Sequence, residues 1–79
     1  MNKEEILATS LDARIQEVMH YQINIDNYVL ALEEIDNLPP EERADLLSFA
    51  EQLRALLVSE RLEQKKSQIM LSVIKRQLG

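Results

Sequence analysis

With 79 residues the chain has room for one domain, and a single core of that size supplies only about 3–5 kcal/mol. It contains no cysteine, which excludes disulfides and thiolate metal sites, and its single histidine argues against a zinc site built from one chain. A net charge of −5, with 46% apolar and 29% charged residues, describes a folded chain that repels nucleic acid over most of its surface.

One glycine, at position 79, and two prolines leave almost no turn chemistry, so the composition predicts an all-α fold. The opening stretch "MNKEEILATSLDAR" is acidic from its fourth residue and reads as no signal peptide. Nowhere do 18 apolar residues run together, so no membrane span is expected. Absence of cysteine fits a reducing cytoplasm, which is the expected location.

The first element is a helix over about residues 3–37. Leu11, Ile15, Val18, Gln22, Ile25, Val29 and Leu32 recur at alternating spacings of four and three, an unbroken heptad seam with one polar member. Leu7, Tyr21, Tyr28 and Ile35 widen the stripe on one flank. Within it, "MHYQINI" alternates apolar and polar residues as a strand would. A strand needs a partner, and no other segment offers one, so the helix runs straight through. Asn24, Asp26 and Asn27 are weak helix formers inside it.

The stretch "DNLPPEER" then interrupts the chain. A proline disfavours helical dihedrals in the residue before it, so the first helix stops by Leu38. Pro40 suits the first position of a second helix, and Glu41, Glu42 and Asp45 place negative charge on its first turns. The turn is 38–40 and the second helix covers about 40–78.

In that helix Leu46, Ala50, Leu53 and Leu57 continue the heptad spacing, with Phe49 and Leu56 on its flank. Glu60, Gln64 and Ser67 take the next seam positions before Leu71, Ile74 and Leu78 resume it. Between Ser59 and Gln68 only Leu62 is apolar. A break near 59–68 is therefore expected, with Ser67 able to cap a new helix, or else an overhang into solvent. Two helices of about 36 residues, each roughly 50 Å long, fold into an antiparallel hairpin. A rod two helices wide leaves much of both seams wet. Two hairpins side by side would share a core, so a homo-oligomeric helical bundle, with a dimer favoured, is the expected assembly.

Candidate sites follow from this frame. Gln22 on the seam reads as a core amide that pairs with another amide and sets register or oligomer state, with a ligand contact as the alternative. His20 and Tyr21 are neighbours, about 100° apart on a helix, and do not converge on one substrate. Met19, Ile23 and Leu30 lie away from the seam and, with Ile69 and Val73, are candidates for contact with a partner or a neighbouring subunit. Residues 1–60 carry 13 acids against four bases, net −9; residues 61–79 carry five bases against one acid, net +4. Those bases, Arg61, Lys65, Lys66, Lys75 and Arg76, are candidate contacts to phosphate or to an acidic partner. Nothing lies near them that stacks on bases, and the mixed faces suit protein packing better than a membrane surface.

No nucleophile–base pair, phosphate-cradling glycine loop or cofactor motif is present, and the paired acids Glu33–Glu34 and Glu41–Glu42 sit at the exposed tip. The expectation is a small non-enzymatic protein, binding no cofactor or metal. It acts as a regulator, adaptor or inhibitor by occluding a surface of a larger protein, as compact acidic inhibitors of phages and mobile elements do. The alternative is a nucleic-acid or nucleotide-ligand binder using the basic C-terminal segment of a symmetric oligomer.

Overall fold

The structure, a computed structural model, describes residues 1–79 and contains three helices and no strand. They are α1 (Lys3–Asp36), α2 (Pro40–Asp45) and α3 (Leu47–Leu78). α1 packs antiparallel along α3 in a hairpin, forming a rod of 60 × 18 × 14 Å.

Local chemistry sets the ends. The Asn2 side chain accepts from the Glu5 N–H at 2.8 Å, and Glu5 Oε1 accepts from Asn2 Nδ2 at 3.4 Å, a reciprocal cap on the first turn of α1. The C-terminus of α1 closes through the Asn37 and Leu38 N–H groups, which donate to Glu33 O and Ile35 O at 3.1 Å. Pro39 is extended, and Pro40 then starts α2 where a missing N–H does no harm.

The interruption of the second arm falls at Leu46, not near 59–68. Leu46 has φ −103° and ψ 10°, and its N–H donates to Arg43 O, three residues back, at 3.1 Å. The kink turns Leu46 onto the tip cluster of Ile35, Ala50 and Leu53, where Tyr28, Ala31 and Leu32 also pack. From Leu47 the helix is continuous to Leu78.

The polar stretch survives as helix because α1 answers it with polar groups. Gln64 Nε2 donates to Gln22 Oε1 at 2.9 Å and to the Val18 carbonyl at 3.2 Å. Asn24 Nδ2 donates to Glu60 Oε2 at 3.3 Å, and the Ser67 hydroxyl donates to Glu17. Ser67 is buried, so it neither caps a helix nor overhangs solvent. No buried side-chain polar atom lacks a partner.

The apolar core is thin and sits at the two ends of this polar section. Ile25, Ile35, Ala50, Leu53 and Leu57 are buried on the tip side, and Ile74 towards the open end. Of the expected seam, Leu11, Ile15, Val18, Val29, Leu32 and Leu46 are only half-buried, and Gln22 is exposed at the margin. α1 is rotated towards its Tyr21–Tyr28–Ile35 flank. Ile35 and Tyr28 meet Ala50 and Leu53, and this contact outranks perfect heptad spacing.

Candidate functional site

Two helices have two lateral faces, and both carry unpartnered apolar side chains. Ile23, Leu30, Phe49, Leu56, Val58, Leu62, Ile69 and Met70 are among the large hydrophobic residues left exposed. These exceed the six hydrophobic residues that the hairpin buries.

One face is a groove along the middle of the rod. α1 lines it with Gln22, Ile25, Asp26, Val29 and Leu30, and α3 with Arg61 and Gln64. The Gln22–Gln64 bond forms its floor at mid-length, and Gln22 Nε2 also donates to Asp26 Oδ1 at 2.9 Å. Asp26 and Arg61 stand on opposite rims and form no ion pair. The only ion pairs in the chain are Arg14–Glu17 and Lys66–Glu63.

The other face carries Phe49, Leu56 and Met70, one heptad row of α3 interrupted by Glu63, with the half-buried Tyr21 and Tyr28 of α1 at the seam beside it. The handedness of the helix puts this α3 row opposite the groove. Beneath them lies the polar knot of Arg14, Glu17 and Ser67. The Ser67 hydroxyl, first, and the Arg14 guanidinium at 3.1 Å hold the Glu17 carboxyl below the usual glutamate range.

That depressed value predicts a pH signature. A lowered folded-state pKa stabilises the hairpin above the ordinary glutamate range, and this is lost as pH falls through the folded value. Ser67→Ala should return the Glu17 midpoint, read by NMR titration, towards an ordinary glutamate. The gap in melting temperature between wild type and variant should be widest near neutrality and close on acidification. A gap that widens below the glutamate range would contradict the assignment.

The residues singled out by sequence for partner contact do not form one patch. Met19, Ile23 and Leu30 are exposed on α1, with Leu30 bordering the groove. Ile69 is exposed and Val73 half-buried on α3, on the flank turned away from the groove. The five bases are likewise dispersed around α3. Arg61 edges the groove with Lys75 two heptads further along the same row, Lys66 Nζ is 2.9 Å from Glu63 Oε1, and Lys65 and Arg76 point elsewhere. His20 and Tyr21 border a shallow depression with Ala13, Gln16 and Glu17, all from α1, so no second wall encloses it. No group of acids and histidine is arranged to hold a metal ion, and no helix is long and apolar enough to cross a membrane.

Sequence reading expected Gln22 to pair with another amide, which Gln64 provides, but missed the Asn24–Glu60 and Glu17–Ser67 pairs across the hairpin. Their signal was present: Glu60, Gln64 and Ser67 fall on seam positions, and Gln22 falls on the seam of the other helix. No family model, curated protein or solved structure matches the chain.

Proposed function

We propose that this chain is a non-enzymatic protein-binding module, a regulator, adaptor or inhibitor, that works as a homodimer and engages a larger protein through its helical faces. The observation that supports this reading is the inverted apolar balance: more large hydrophobic side chains face outward than inward. Exposed apolar surface of that extent marks a contact surface in a stable chain. Binding to phosphate through the C-terminal bases has less support, because those bases are spread around α3 and one is already paired.

Sedimentation equilibrium with the intact chain should give a dimer at micromolar concentration, and the melting temperature should rise with protein concentration. A sharply melting monomer would remove the homodimer from the proposal.

The partner class is tested by affinity capture with nuclease treatment. Captured protein should be lost with Ile23→Glu and Leu30→Glu, and kept with Lys65→Ala plus Lys66→Ala. Loss with the lysine pair, together with a steep decline as salt is raised, would overturn protein binding in favour of phosphate contacts.

A further inference from the structure

From the charge pattern beside the groove we infer that a second copy of this chain docks there, α1 of each copy against α3 of the other, with both hairpin tips at the same end. The inference rests on the proposed homodimer and adds its face and its direction.

The rims of the groove carry charge in heptad rows. Asp12, Asp26 and Glu33, with Met19 completing the row, recur at intervals of seven along α1. Arg54, Arg61 and Lys75, with Gln68, do so along α3. All eight side chains are exposed. Asp26 and Arg61 border the same groove, so they mark one level of the rod. Steps of one heptad from there place Glu33 level with Arg54, Met19 with Gln68, and Asp12 with Lys75. The α1 rim is thus acidic and the α3 rim basic along the groove, with the two uncharged positions matched. None of these six charges is used in an ion pair within the chain.

Two symmetric ways exist to close the groove with a second hairpin. If the two-fold axis runs along the rod, α1 lies against the partner copy's α3. Every level is preserved, so Asp12 meets Lys75, Asp26 meets Arg61 and Glu33 meets Arg54, each pair made twice. If the axis crosses the rod, α1 lies against α1 and α3 against α3, tips at opposite ends. Asp12 then meets Glu33 and Arg54 meets Lys75, like against like. Charges at the edge of a helical interface choose orientation in this manner. The first arrangement does gather two acidic tips at one end. Those charges face solvent and are screened over about 8–10 Å, whereas the rim pairs lie at contact distance.

The area suffices. The chain exposes 5909 Å², roughly 1,000 Å² more than a compact monomer of its 9.2 kDa mass. A dimer as compact as folded proteins of twice the mass would bury on the order of 3,500 Å², well above the ~1,600 Å² of a standard interface.

The chain has no cysteine, so Glu42→Cys at the tip takes a single spin label. In the dimer, pulsed spin–spin measurement should place the two labels within about 30 Å, a few helix diameters. A distance near the 60 Å length of the rod would overturn the inference. The face is tested by charge. Asp26→Arg and Arg61→Asp should each weaken dimerisation on the order of tenfold, since each acts at two sites. Mixing the two variants should restore affinity as a heterodimer, in which both levels regain opposite charges. Unchanged affinity in both variants would overturn the groove as the docking face. A monomeric wild-type chain would overturn the inference outright. Binding to a larger protein is read separately, by the Ile23 variant, because Ile23 is exposed and does not line the groove.

Discussion

Leu53→Ala should leave the chain largely unfolded at 37 °C. Leu53 is 5% exposed and sits between Ile35 and Ala50 in the only cluster of buried residues. Truncating a leucine in such a site costs roughly 2–5 kcal/mol, from lost transfer and the cavity left behind. A single core at this chain length holds about 3–5 kcal/mol in all, so one substitution removes most of it. Leu62→Ala is the matched control, since Leu62 is 56% exposed and faces away from both α1 and the groove. Its effect should stay within about 0.5 kcal/mol, as for ordinary surface changes. Circular dichroism melts of both variants decide the matter. Equal losses would mean that the rotation of α3 against α1 is wrong.

Replacing both mid-groove amides should raise stability and loosen assembly. Gln22 and Gln64 bond to each other at 2.9 Å in the groove that Ile25 and Val29 also line. In the inferred dimer two such pairs face one another, four amides in the middle of the interface. Gln22→Leu with Gln64→Leu makes that layer apolar in both copies. Each added leucine that becomes covered contributes up to about 1.5–3 kcal/mol, an upper bound from area. The melting temperature should therefore rise by about 10 °C or more. The amides are the one floor level at which only a like layer satisfies both partners. Without them the copies should slide or reverse, and the tip-to-tip distance distribution should broaden. Gln22→Leu alone should do less, because Gln64 keeps its bond to the Val18 carbonyl. An unchanged melt with an unchanged assembly would count against the amide layer as a register device.

Much of the fold is written locally in the sequence. Lack of turn residues, the heptad spacing from Leu11 to Leu32, and the proline pair at 39 and 40 suffice to give two helical arms and the turn between them. Each of these acts within a few residues, through backbone dihedrals, capping or side-chain period, and needs no distant partner. The faces are less legible. A seam and its flank together make a stripe wider than one neighbouring helix covers. Which part turns inward depends on what the other arm offers at the same level.

Tertiary contact made those choices. It drew the Tyr28 and Ile35 flank of α1 inward, because Ala50 is small enough to admit them and Leu53 completes the cluster. Gln22 was thereby left at the edge of the core, in the floor of the groove, where Gln64 is its partner. The polar stretch from 59 to 68 looks, taken alone, like a weak place in a helix. Glu17, the Val18 carbonyl, Gln22 and Asn24 meet it across the hairpin, so its polar groups are satisfied without a break. The bend went instead to Leu46, where a tight turn lets an apolar side chain reach the tip cluster. Local period determined that this chain is helical and where it folds back. Only the pairing of residues some fifteen to fifty positions apart decided which way each helix faces, because burial and hydrogen bonding are properties of the pair.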